Sequence, residues 1–157
     1  MRNILRALVI FSICQFGATA FAADDPDNAL VRMFSWWNGA IQEPNGFTEA
    51  AFRRHFTEQA AIIINGKERV RGIKPMVEHF KRIQASVEAV KIVLPFEEGF
   101  ASGNRIFTYH LIRSRNNGVS SVSHVMGYAV VEQGRIALVD FLSYDEPAAD
   151  KAGETKR

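Results

Sequence analysis

The sequence predicts an α+β domain, an antiparallel sheet packed on three helices, and three observations carry that prediction. First, Asn117-Gly118 and Gln133-Gly134 separate three runs rich in β-branched and aromatic residues, at 105–115, 119–131 and 136–144. Asn-Gly between such runs marks a hairpin, because both central residues of a two-residue type I′ turn need a positive φ. Second, two earlier stretches repeat apolar residues at helical spacing: Leu30, Met33, Phe34, Trp37 and Ile41, then Ile73, Met76, Val77, Phe80 and Ile83. Third, residues 86–96 alternate side chains with period two, as a fourth long strand would.

Taken in order, Asp25-Pro26-Asp27-Asn28 supplies caps and a first-turn proline for a helix running to about Gln42. Pro44-Asn45-Gly46 ends it, and Thr48 caps a short second helix over 49–55 with Phe52 and Phe56 turned inward. Residues 60–64 form an apolar strand closed by Asn65-Gly66, and residues 67–70 return as a small hairpin. Gly72 opens the third helix, which runs to about Gln84. Pro95 marks a bulge or an edge, because proline cannot donate to a sheet ladder. Residues 99–103 lead into the three long strands.

The two turns also set a register. Asn117-Gly118 places His110 opposite Val125 and Thr108 opposite Gly127, and Gln133-Gly134 as a second tight turn places Asp140 opposite Gly127. One face then carries Thr108, His110, Ser123, Val125, Asp140, Leu142 and Tyr144, and the other Phe107, Tyr109, His124, Met126, Tyr128, Val139 and Phe141. Both are largely apolar, so both need cover: helices on one, a partner subunit or a ligand pocket for the rest.

Residues 1–22 read as a signal peptide instead of part of the domain. Arg2 and Arg6 precede an apolar run that ends in Ala20-Phe21-Ala22, a small-residue cleavage site, so the expected location is periplasmic or secreted. The run is too short to span a bilayer, and no stable membrane insertion is expected. Cys14, the only cysteine, lies within it, so the mature chain has no disulfide, catalytic thiol or thiolate metal site. Loss of Arg2 and Arg6 leaves basic and acidic residues balanced, which argues against a nucleic-acid partner. One domain is expected at 23–146, and the small, polar, charged stretch at 147–157 reads as a disordered tail.

The element order, with Gly72-Ile-Lys-Pro-Met-Val-Glu-His-Phe80 after a short hairpin and Gly134-Arg-Ile-Ala-Leu-Val-Asp-Phe141 in the last strand, resembles the SnoaL-like branch of the nuclear transport factor two-like superfamily. That resemblance implies a strongly bent sheet wrapped on its helices as a cone, a homodimer through the sheet, and a pocket open at the wide end. The fold hosts isomerases, hydrolases, cyclases, dehydratases and non-catalytic binders, so it does not decide function.

Asp140 and His110 are the candidate catalytic pair. A carboxylate in an apolar strand must be paired, hydrogen-bonded or protonated, which suits a general base or a neutral acid; the alternative is a structural arginine partner or a solvated sheet rim. His110 on the same face would be its proton-transfer partner, or else a satisfied half-buried histidine. Asn65, Thr108, Trp36, Ser123, Tyr144 and Leu142 are the further pocket candidates, with Trp37 assigned to the core. Asn65 is similar in position to a water- or substrate-orienting asparagine of limonene epoxide hydrolases, yet it also simply makes the turn. The acid, base and arginine of those enzymes fall at His110, Ile112 and Phe141 and are not reproduced. The base of the related ketosteroid isomerases falls in Ile62-Ile63-Ile64 and its acidic donor at Met126 or Gly127, so that activity does not carry over either. His55 and His79 lack metal-ligand spacing, no metal or cofactor is implied, and Arg53, Arg54, Arg69, Arg71, Arg113 and Arg115 read as solvated. The expected partner is a small, mainly apolar organic molecule, bound by a cofactor-free isomerase, cyclase or dehydratase or by a non-catalytic module.

Overall fold

The computed structural model describes residues 28–146; the expected signal peptide and tail lie outside the described residues. Helix α1 (Ala29–Ala40) is capped by Asn28, whose side-chain oxygen accepts from the backbone N–H groups of Leu30 and Val31. It buries Leu30, Met33, Phe34 and Trp37, the stripe its spacing predicted. Helix α2 (Glu49–His55), capped by Thr48, ends where β1 (Phe56–Ile64) begins, so the first strand starts earlier than expected. Strand β2 (Lys67–Arg71) completes the small hairpin, with Asn65 and Gly66 at positive φ as their turn demands. Helix α3 (Ile73–Ser86) buries Ile73, Met76 and Val77.

Strands β3 (Ala89–Ile92), β4 (Glu98–Ser102), β5 (Arg105–Asn116), β6 (Val119–Glu132) and β7 (Arg135–Asp145) follow. Both β3 and β4 pair with β5, one at each end, so the expected strand over 86–96 is shorter and its line is completed by a segment read as a lead-in. The single sheet runs β2-β1-β7-β6-β5-β3, with β4 also on β5. It is mixed, not wholly antiparallel, because β1 pairs in parallel with β7. That pairing joins distant parts of the chain, and no local turn signals it.

The β5–β6 register is the one the Asn-Gly turn predicted, with His110 opposite Val125 and Thr108 opposite Gly127. Between β6 and β7 the prediction fails by one residue. Val130 pairs with Leu138 and Val131 with Ile136, leaving Ala137 as an extra residue in a bulge. A one-residue slip turns every later side chain to the opposite face. Gly127 therefore faces Phe141 and Tyr128 faces Asp140. The helices cover the face carrying Thr108, His110, Val125, Ala129, Val139 and Phe141, all buried. The other face carries Tyr109, Met126, Tyr128, Asp140, Leu142 and Tyr144, and Met126, Leu142 and Tyr144 are exposed.

Side-chain clamps hold the layers together. The amide of Asn38 donates to the carbonyl of Ile92 and accepts from its N–H, both at 2.8 Å, fastening α1 to edge strand β3. Gln84 donates to the carbonyls of Ile41 and Glu43, fastening α3 beyond the end of α1.

Candidate functional site

Helices α1 and α3 do not fill the concave side of the sheet, and a cavity of about 300 Å³ remains between them. Met33, Phe34 and Trp37 of α1 form one wall, Phe80 and Ile83 of α3 another, and Ile62, Ile112, Val125, Val139 and Phe141 the sheet side. That is a volume at the small end of organic-ligand pockets, with the apolar walls such pockets have. The polar side chains lining it are His110, His79, Arg69 and Ser143; no carboxylate does.

His110 lies mid-strand in β5 and is only 1% exposed. The rings of Phe34, Phe141 and Phe96 surround it, with centroids 4.9, 5.2 and 5.7 Å away. Thr108, two residues back and so on the same face, sets its Oγ1 3.1 Å from His110 Nδ1. Burial disfavours the imidazolium and lowers the pKa from the ordinary 6.5 to about 4, so the ring is neutral at neutral pH. With Nδ1 engaged and no other partner on the ring among the described residues, Nε2 is the nitrogen available to a molecule in the cavity.

His79 and Arg69 bring polarity from the other side. Burial lowers the pKa of His79, and the positive charges of Arg82 and Arg69 lower it further. Arg69, expected to be merely solvated, is the extra residue of a bulge in β2, where Ile62 pairs with Val70 and Ile63 with Glu68. Bulges re-aim side chains; here the result is an arginine lining the cavity. Trp37 adds a buried Nε1–H that finds no acceptor among the described residues.

The bulge in β7 separates the predicted catalytic pair. Asp140 lies on the outer face, half-buried, with Tyr128 OH donating to it across 3.4 Å, and no Asp140–His110 dyad exists. Leu142 and Tyr144 move to that face with it, exposed and away from the cavity. Gly127 opens no space beside Asp140 either: a Cβ there would stand 2.1 Å from the Asp140 carbonyl oxygen. Asn65 is a clamp, not a pocket group, its amide donating to Ser143 O at 3.0 Å and accepting from Ser143 N at 2.8 Å. Trp36 turns from the cavity to stack on His55, 4.7 Å between centroids, and against Phe52. Ser123 donates to Asp145 and does not line the cavity. Thr108 serves through His110, and of the predicted set only His110 lines the cavity. Arg69, His79 and Ser143 were missed; the position of His79 beside Phe80 on the apolar edge of α3 was the available signal. Among the described residues no group of three or more histidine, cysteine or acidic side chains could hold a metal ion.

No family model matches the chain, and no curated protein matches it by sequence. Solved structures do match. An NTF2-like protein of unknown function from Exiguobacterium sp. 255-15 superposes with a TM-score of 0.59 at 14% identity, covering 76% of this chain and 99% of its own. A protein of ketosteroid isomerase-like fold from Catenulispora acidiphila, solved with trimethylamine, gives 0.58 at 12% identity over 74% and 83%. A protein assigned as a SnoaL-like polyketide cyclase from Jannaschia sp. CCS1 gives 0.59 at 12% over 76% and 85%. The chain thus has the NTF2-like cone fold, as the resemblance in its sequence implied. At these identities the likeness speaks for the fold alone.

Proposed function

We propose that this protein binds a small, mainly apolar organic molecule in the cavity, held at its floor by a hydrogen bond to His110. The observation that carries this reading is an apolar chamber of about 300 Å³ with a neutral imidazole in its wall and no carboxylate. Burying the ligand's hydrocarbon surface contributes roughly 25 cal/mol per Å², and the neutral hydrogen bond to His110 adds about 1 kcal/mol. Native mass spectrometry of the purified protein should detect a retained small molecule. His110→Phe, which fills the space and removes the polar atom, should release it; a ligand-free protein that also binds no apolar probe would sink the reading.

Catalysis by the same site is the second reading, favoured by the Thr108–His110 pair with its unengaged Nε2. Proton transfer of an isomerase, cyclase or dehydratase kind would then run through His110 alone. A ring with a pKa of about 4 is a weak base, and no carboxylate stands by to stabilise the imidazolium. Binding therefore ranks ahead of turnover.

Two further features belong to this proposal. Phe100, Met126, Leu142 and Tyr144 are exposed apolar side chains of the sheet, which supports a homodimer through its outer face. Light scattering should give twice the chain mass, and Leu142→Glu should halve it. Export rests on the pattern at residues 1–22 and is tested by N-terminal sequencing of the mature protein, which should begin near Ala23.

A further inference from the structure

Among the described residues, three arginines are spent on carboxylates, whereas another borders the cavity. Arg53 is bonded to Glu49 and Glu58, Arg71 to Glu68, and Arg115 to Glu88. Arg69 makes no hydrogen bond or ion pair among the described residues, although Glu68 is its neighbour in sequence. Glu68 is taken by Arg71, and the β2 bulge leaves Arg69 as the extra residue, lining the cavity. His79 joins it there from α3. The positive charges of Arg69 and Arg82 both act on His79, and no carboxylate lines the cavity. One end of an apolar chamber therefore has a cationic rim with its hydrogen-bond donors unspent.

Resting on the binding reading above, we propose that the ligand is an apolar monocarboxylate, its hydrocarbon body inside the cavity and its carboxylate at the rim against Arg69 and His79. The planar guanidinium offers paired N–H donors that match a carboxylate, and such charge-assisted bonds are about twice as strong as neutral ones. The apolar walls of Ile62, Phe80 and Phe141 select a hydrocarbon body. An acid places its single charge beside the guanidinium of Arg69, which is exposed, so the carboxylate is not buried among the apolar walls.

The test is calorimetric titration with two acids, 10-hydroxydecanoate and 4-hydroxycinnamate, against the matching alcohols, 1,10-decanediol and 4-hydroxycinnamyl alcohol, each keeping a far hydroxyl for His110. The acids should bind roughly twofold to fivefold more tightly, the range an ion pair to an exposed arginine supplies. Arg69→Gln should remove that advantage while leaving the alcohols' affinity unchanged, and Arg113→Gln, exposed on β5 and away from the cavity, should change neither. Equal binding of acids and alcohols, or acid binding unaffected by Arg69→Gln, overturns the carboxylate assignment and leaves the cavity reading standing. Failure of all four probes to bind overturns both. Unchanged melting temperatures of the two variants, which alter exposed side chains, establish that any loss is one of recognition.

Discussion

His110 and His124 sit on paired strands of one hairpin, one on each face of the sheet, and nothing but that placement makes them different. His110 is walled by three phenylalanine rings, has Thr108 as its hydrogen-bond partner, and is kept neutral by burial. His124 has its Nδ1 2.6 Å from Tyr109 OH and its Nε2 2.8 Å from Glu146 Oε1, between the stacked rings of Tyr109 and Tyr144. The inner face builds an apolar chamber with sparse polar groups; the outer face spends its polar groups on one another. Strand parity, not residue type, assigned these environments.

The severest way to break this division is at Gly127, where β6 and β7 come close. Its φ of 150° is strained for any L side chain, and a Cβ would meet the Asp140 carbonyl oxygen at 2.1 Å and Phe141 Cα at 2.9 Å. Gly127→Ala should therefore cost roughly 3 kcal/mol or more, as backbone strain and overpacking each cost about 1–3, measured by urea denaturation. A change near zero would mean that the β6–β7 register is different.

Acidification tests the inner histidine next. Its pKa lies below the ordinary value, so between about pH 6.5 and pH 4 the folded protein binds fewer protons than the unfolded chain. Stability is fully present above that window and falls as pH drops through it, by on the order of 3 kcal/mol from this group. His110→Phe should flatten most of that slope; His55 and His79, also lowered chiefly by burial, supply the same sign and remain in the variant. A slope unchanged in His110→Phe would place the titration elsewhere.

Smaller effects sharpen the contrast. Asn65→Ala removes both hydrogen bonds to Ser143 and puts alanine at a positive φ, so a loss of about 1–2 kcal/mol is expected in thermal or chemical denaturation. Asp140→Asn should be nearly silent, within about 0.5 kcal/mol and without effect on probe binding, because the side chain faces away from the cavity. A strong loss of binding in that variant would return Asp140 to the site.

Much of this was legible in the chain because it depends on neighbours. Leu30, Met33, Phe34 and Trp37 sit at helical spacing and are buried together, and Asn117-Gly118 specifies every β5–β6 pair. Strand β4 was not legible: Gly99 and Ser102 weaken its pattern, and only pairing with β5 makes it a strand. His110 was found because an imidazole in an apolar run stands out. Arg69 was not, because Lys67-Glu-Arg-Val-Arg71 reads as a solvated ribbon unless the bulge is known.

The amino-acid order by itself determined the three helices, the tight turns and the phase of side chains along β5 and β6, since all follow from interactions within a few residues. Tertiary structure alone decided that β1 lies parallel to β7, that Ala137 and Arg69 are extruded, and hence which side chains meet in the cavity. Those choices come from bending one sheet around its three helices. The bulges supply that curvature, and the energy that favours them belongs to the packed whole and to no local stretch.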